Sequence, residues 1–362
     1  MSAPGDVRYC FEYPRRIRVG YIGCGGHSWR NVLPTFQYAP IDFIAVCDRT
    51  AEKAAVYARQ FGAKQSYTSH REMLAKEDLE AVFIVTNYDA QGHPRATELA
   101  IDALEAGCHV WMEKPPAASV AAMQRLAEAA ARAGRYVLVG FKKMFFPSIE
   151  KAKAIISDPA FGTPSSIYAR YPQSLPAAAD RKDDRAMVGF LDHIVHPGSI
   201  LLYLMGPFES IYFRREERTG ASVTTIRFQS GAIGTLHLSA GQSGTSPLER
   251  VEVIGSGANV VVDNGVRLTY YRRGGRGAYG RSPSYLTPDD QAPLYWEPEF
   301  SLGQLYNKNL FTLGYVQEVQ YFCECILNER PPTKAGLDDA LELMRLYEAY
   351  RGPEGEEIFL HP

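Results

Sequence analysis

Short apolar runs recur through the first 145 residues: IRVGYIG at 17–23, FIAVCD at 43–48, AVFIVTN at 81–87, CHVWMEK at 108–114 and RYVLVGF at 135–141. Each is too short for a buried helix and is bounded by turn residues, so each predicts a strand. Between them lie stretches with helical spacing. One runs from a Thr50 cap to a Gly62 stop, a second from Pro94 to Gly107, and a third from Ser119 to Gly134. Strand and helix alternating in this order predict parallel βαβ units, because parallel neighbours need a crossover long enough to hold a helix.

The period changes after about residue 150. ASVTTIRFQSGAIGTLHLSAG alternates polar and apolar positions about a turn at Ser230-Gly231, and LERVEVIGSGANVVVDNGVRLTYYRR reverses at Gly255 to Gly257 and again at Asn264-Gly265. These hairpins predict an antiparallel sheet. Helical stretches are expected near 187–205, 312–328 and 337–350. Arg272 to Asn309, rich in Gly, Pro and aromatic residues, reads as an extended arm; its Tyr279, Tyr285, Tyr295, Trp296, Phe300 and Tyr306 suit either a carbohydrate platform or an oligomer contact. The expected architecture is α/β joined to α+β. A doubly wound parallel sheet in a nucleotide-binding domain, 1–145, precedes an open antiparallel-sheet domain for substrate binding and oligomerisation, 146–362.

Composition narrows the partners. With 39 basic against 41 acidic residues the net charge is −2, which offers no field for nucleic acid or an anionic membrane surface. No secretory pattern opens the chain and no run of about 18 apolar residues suggests a bilayer span, so a cytoplasmic protein with a small-molecule partner is expected. Cys10, Cys24, Cys47 and Cys108 are scattered. Cys323 and Cys325 share a helix on diverging faces and read as packing residues, so neither a disulfide framework nor a metal site is expected.

GYIGCGGHS places Gly23 and Gly25 directly after the first strand, with Ser28 where the fingerprint G-x-G-x-x-G has its third glycine. The first glycine allows the tight turn, the second a close approach to pyrophosphate, and the following helix N-terminus supplies unpaired N–H groups. Asp48 ends the second strand about 20 residues further on, where an acid holding the ribose hydroxyls is expected. That carboxylate favours NAD, while the neighbouring Arg49 keeps NADP open.

Glu113-Lys114-Pro115 follows the fourth strand at the carboxyl edge of the sheet. Together with Thr86-Asn87 after the third strand and His93 in the loop beyond, it makes the chain resemble the Gfo/Idh/MocA family, which includes glucose–fructose oxidoreductase and inositol dehydrogenase. The resemblance extends through GFKKMFFPSIEKAKAIISDPAFG to the second-domain pattern D-x-x-x-H, here Asp192 and His196 in MVGFLDHIVHPGSILLYLMG. Where many members carry an acid three residues after the histidine, this chain has Ser199. The resemblance implies a nicotinamide cofactor met by Gly23, Gly25, Gly26, His27, Asp48, Arg49, Thr86, Asn87, His93, Glu113 and Lys114. It also implies a homodimer or homotetramer built on the open sheet.

Oxidising a secondary alcohol requires a base and a stabiliser of developing negative charge together. His196 suits the base, since imidazole titrates near neutral pH. Lys114 suits the stabiliser, and Asp192 is suited to orient the imidazole or hold the hydroxyl. Pro197 disfavours helical backbone at His196, so the helix is expected to start at Pro197 with the pair on an irregular lead-in. His193 is expected to point elsewhere. Lys142, or else Lys143, is a further substrate candidate; two solvated lysines is the competing reading. The function expected is hydride exchange between nicotinamide and a ring hydroxyl or ketone of a sugar, inositol or glycoside. The alternatives are an enzyme that keeps NAD bound and uses transient oxidation, and a non-catalytic NAD sensor.

Overall fold

A computed structural model describes residues 13–273, 293–298 and 308–361. The chain divides into two compact units: residues up to Lys142 together with Gly314–Met344, and Lys143–Leu313 together with Arg345 onward. The second unit therefore does not run unbroken from residue 146 to the chain end, as the change of period suggests.

In the first unit, strands β1 (Ile17–Ile22), β2 (Ile41–Cys47), β3 (Gln65–Tyr67), β4 (Ala81–Ile84), β5 (His109–Met112) and β6 (Val137–Val139) form a sheet in the order β3-β2-β1-β4-β5-β6. All its pairings are parallel. This is the doubly wound dinucleotide-binding order, with its topological switch point beside β1. The central strands are buried on both faces, which is why they read as apolar runs rather than alternating ones. Helices α1 (Ala51–Phe61), α2 (His70–Lys76), α3 (Ala96–Glu105) and α4 (Val120–Ala133) supply crossovers. Ser119 caps α4 by accepting the Ala122 N–H, and Gly62 and Gly134 end α1 and α4 in the left-handed conformation.

The second unit contains α5 (Pro147–Ser157), β7 (Ser166–Tyr171), α6 (Asp184–Met205), β8 (Phe208–Arg215), β9 (Ser222–Phe228), β10 (Ile233–Leu238), β11 (Arg250–Ile254), β12 (Asn259–Asp263), β13 (Arg267–Tyr271), β14 (Leu294–Trp296) and, near the chain end, β15 (Ile358–Phe359). Its nine-stranded sheet has the order β14-β13-β12-β11-β7-β10-β9-β8-β15. The hairpins at Gly231, at Gly255 to Gly257 and at Asn264-Gly265 form as expected. The sheet is mixed rather than wholly antiparallel, because β7 and β10 pair in parallel. No hairpin joins that pair: the chain leaves β7 through α6 and two further strands before returning alongside it. Tyr295 and Trp296, expected in an extended arm, lie in β14 on the sheet edge; Tyr279, Tyr285, Phe300 and Tyr306 fall outside the described residues.

After α7 (Lys308–Thr312), α8 (Tyr315–Leu327) returns to the first unit, where Gln320 donates to the Tyr38 carbonyl at 2.8 Å and Phe322 meets Phe83 edge-on. Cys323 and Cys325 are buried in α8, as packing residues should be. Helix α9 (Leu337–Ala349) follows. Helix α6 is the one described helix long and apolar enough to cross a membrane, contrary to the expectation that no segment would be; most of it is buried inside the protein.

Candidate active site

The glycine turn is fixed by its first member. Gly23 has φ +108°, and a β-carbon there would sit 1.9 Å from the Val85 carbonyl oxygen, so no other residue fits. A β-carbon at Gly25 would meet nothing within 4 Å, which leaves the turn open to a ligand. Ser28, in the third-glycine position, is fully buried and donates its hydroxyl to the Gly23 carbonyl at 2.7 Å. The helix expected next is irregular: a π-helical turn over Ser28–Val32 passes into a 3₁₀ segment, Leu33–Tyr38, with Pro34 at its start. Pro34 has no N–H for an α-helical bond, so a regular helix cannot propagate through that position.

Asp48 closes on the same turn. Its Oδ2 accepts the Cys24 N–H and its Oδ1 the Thr50 N–H, each at 2.9 Å, which leaves lone pairs for a diol. Arg49 beside it is exposed. Tyr57 of α1, absent from the sequence reading, donates to the Gly25 carbonyl at 3.0 Å and packs on Trp29. Across the switch point, the Thr86 hydroxyl is buried and has no hydrogen-bond partner among the described residues. Asn87 is exposed, and the loop beyond it is closed by Asp89, which accepts the His93 N–H at 2.8 Å. The open turn, the Asp48 carboxylate beside it and the orphaned hydroxyl fit a dinucleotide on this edge.

At the end of β5 a polar chain organises the E-K-P segment. Asn31 Nδ2 lies 3.1 Å from His27 Nδ1, and His27 Nε2 meets Glu113 Oε1 at 2.7 Å. Glu113 Oε2 accepts the Lys114 N–H at 2.9 Å. Burial pushes the Glu113 carboxyl up, but the His27 hydrogen bond and the charges of His27, Lys114 and Lys142 outweigh it and hold the group below its ordinary value. The Lys114–Pro115 peptide is cis. Lys142 is not simply solvated: it donates to the Tyr315 hydroxyl at 2.9 Å from above that ring. Glu318, one turn along α8, is fully buried without a hydrogen-bond partner among the described residues, and burial raises its pKa well above the carboxylate range, with the Glu113 charge adding to it. Neither Tyr315 nor Glu318 carries a signal in the sequence.

The second unit holds the other half of the expected chemistry. Helix α6 runs unbroken through Pro197, so Asp192 and His196 lie inside a helix rather than on an irregular lead-in. Burial of the apolar positions around Pro197 overrides its local preference. Ser199 is buried and donates to the His196 carbonyl at 2.9 Å, so in place of an acid it supports the helix next to the proline. His196 is 9% exposed, and its ring centre lies 6.1 Å from that of Tyr171 at the end of β7.

His193 does not point away. Its Nδ1 is 3.4 Å from the Tyr171 hydroxyl, its ring centre is 6.1 Å from that of His196, and its Nε2 is 3.8 Å from Asp192 Oδ2. The i,i+3 spacing that sets it beside His196 outweighs the divergence of adjacent residues. Lys143 is buried, ion-paired with Glu249, and 4.6 Å above the Tyr171 ring, which excludes a solvated surface lysine. Burial lowers its pKa, against the pull of Glu249. Among the described residues no cluster of His, Cys, Asp and Glu suits a metal.

Residues 17–141 match the family described as an oxidoreductase family with an NAD-binding Rossmann fold, and residues 149–261 match the GFO/IDH/MocA C-terminal domain. The chain is 23% identical to the myo-inositol 2-dehydrogenase of Thermotoga maritima, covering 93% of this chain and 96% of that one. It is 25% identical to the scyllo-inositol 2-dehydrogenase (NAD(+)) of Bacillus subtilis over 91% of each. Among solved structures, a levoglucosan dehydrogenase in complex with NADH and L-sorbose superposes with a TM-score of 0.78 at 19% identity, covering 96% of this chain and 99% of that one. The switch-point edge that suits a dinucleotide and the matches to both family domains lead to one conclusion: the chain belongs to the Gfo/Idh/MocA oxidoreductases and takes NAD as its cofactor.

Proposed function

We propose that this protein oxidises a ring hydroxyl of a sugar, inositol or glycoside, or reduces the matching ketone, with Lys114, Asp192 and His196 acting on the reacting oxygen. The observation that carries the reading is the commitment of Glu113 to His27 and to the Lys114 backbone, which fixes the lysine at the end of β5 within an NAD-binding unit. NAD, when bound, takes up the hydride. His196, nearly buried in α6, receives the hydroxyl proton. Lys114 stabilises the alkoxide character that develops on oxygen, and Asp192 holds the hydroxyl or the imidazole. The inositol dehydrogenases among the relatives support a cyclic polyol as substrate.

The test is a cofactor-reduction screen over sugars, inositols and glycosides with both NAD and NADP. On a substrate so found, Lys114→Ala and His196→Ala should each lower kcat by about 10²- to 10⁴-fold and leave NAD affinity near its original value. Wild-type turnover in both variants would refute the assignment. A homodimer or homotetramer is part of the same proposal. The open face of the nine-stranded sheet exposes Val223, Ile233, Ile254 and Tyr271, apolar side chains that a second copy would cover; light scattering on the purified chain reads the mass.

A further inference from the structure

Alcohol oxidation releases a proton as well as a hydride. The O–H and C–H bonds of the substrate break, a C=O bond forms, the hydride goes to NAD, and the proton goes to His196. His196 is 9% exposed, so each turnover must pass that proton to bulk water by some route. One turn earlier on α6, His193 has a side chain 53% exposed, and the Tyr171 hydroxyl lies against its Nδ1. Both imidazole rings flank the Tyr171 ring, at 6.1 Å for His196 and 6.5 Å for His193.

Resting on the function proposed above, we infer that Tyr171 and His193 form a proton exit from His196 to solvent. Protonated His196, whose ring lies beside that of Tyr171, gives its proton toward the Tyr171 oxygen by way of a bridging water that the relay requires, while the Tyr171 O–H passes its own proton to His193 Nδ1. His193 then releases a proton to water, and Tyr171 ends neutral, as it began. The neutral phenol is required, because burial and the charges of Glu249 and Asp192 all push the Tyr171 pKa up and oppose a phenolate. Asp192, 3.8 Å from His193 Nε2, favours the charged imidazole that the transfer creates. Among the described residues, Lys143, over the Tyr171 ring, and its partner Glu249 before β11 also bring charge to this point.

Two measurements test the relay. In the full chain without ligand, deuterium exchange at the imidazole C2–H positions, followed by mass spectrometry against pH, gives a midpoint for each histidine. His193→Gln removes a like charge about 6 Å from His196 and should raise the His196 midpoint by about half a unit; a midpoint unchanged within about a tenth of a unit overturns the proposal. With NAD and myo-inositol as probes, His193→Gln and Tyr171→Phe should lower kcat by about tenfold in dilute buffer, with recovery in concentrated imidazole. An equal loss in both buffers marks a structural residue, and no loss in either marks a bystander; both overturn the relay. If wild type does not turn over myo-inositol, the exchange measurement decides. Normal turnover in His196→Ala would instead remove the underlying reading, a result distinct from normal kinetics in His193→Gln.

Discussion

Replacing His27 by alanine tests how the nucleotide edge holds its lysine. The bond from His27 Nε2 to Glu113 Oε1 is 2.7 Å long and ends on a carboxylate whose side chain is 10% exposed. Hydrogen bonds to charged groups contribute about 1.5–3 kcal/mol, and because the His27 side chain is 38% exposed this one belongs toward the lower end of that range. His27→Ala should therefore destabilise the protein by about 2 kcal/mol near pH 7, a fall in Tm of about 4–8 °C. The pH dependence supplies the sign. Glu113 has a folded-state pKa below its unfolded value, so its contribution is present above about pH 4.5 and is lost as pH falls through the folded value. In His27→Ala the upward push of burial meets only the charges of Lys114 and Lys142, and the carboxyl rises. The difference between wild type and variant should hold from pH 6 to 8 and close in acid. Differential scanning calorimetry across pH, with Glu113→Gln and the double variant completing the cycle, isolates the pair. A coupling energy under about 0.5 kcal/mol, or a gap that persists unchanged in acid, would refute the argument.

Three further outcomes are expected. Lys143→Met should cost about 3–5 kcal/mol by leaving Glu249 buried and uncompensated, and Lys143→Met with Glu249→Leu should recover most of it; urea unfolding of both reads this. Burial drives the His109 pKa down to about 4, so the unfolded chain takes up a proton below about pH 6.5 while the folded one does not, and stability falls between those values. Discounted for partial exposure the loss is about 1–2 kcal/mol, and His109→Gln should flatten that part of the Tm profile. Gly23→Ala, with a positive φ and a β-carbon driven onto the Val85 carbonyl, should cost at least about 2 kcal/mol and weaken NAD binding measured by fluorescence titration.

Much of the fold is legible because its signals are local. The five parallel strands read from the sequence announce themselves as apolar runs, and the ends of α1 and α4 are written in Gly62 and Gly134. β3 and α2 escape the same reading. Gln65–Tyr67 is three residues long with little burial, and seven residues of α2 are too few to establish a period. The parallel pairing of β7 with β10 is a long-range choice that no hairpin dictates. The site divides in the same way. Gly23, Asp48, Glu113 and Lys114 stand at strand ends, where position in the pattern identifies them. The bond that organises them joins residues 86 apart. Tyr57, Tyr171, Tyr315 and Glu318 matter only through neighbours that the fold supplies, as does the difference between Lys142 and Lys143.

Pro197 shows which of two rules wins at the site. Proline inside a helix removes one backbone bond and crowds the carbonyl four residues back, a penalty of about 3 kcal/mol. On the local rule the helix should begin there. Helix α6 instead starts at an Asp183 cap and buries Ile194, Val195, Ile200, Leu201 and Leu204 to 3% exposure or less. Burying one such side chain contributes about 1.5–3 kcal/mol, so apolar burial on either side of Pro197 exceeds the penalty several times over. The result reaches the chemistry directly. With the helix continuous, Asp192, His193 and His196 have fixed relative positions along one axis, and His193 comes to rest beside His196 and Tyr171. A helix starting at Pro197 would have left those three side chains on backbone whose direction nothing determines. The placement of Asp192, His193 and His196 thus follows from the core of the second unit rather than from the motif in which they are written.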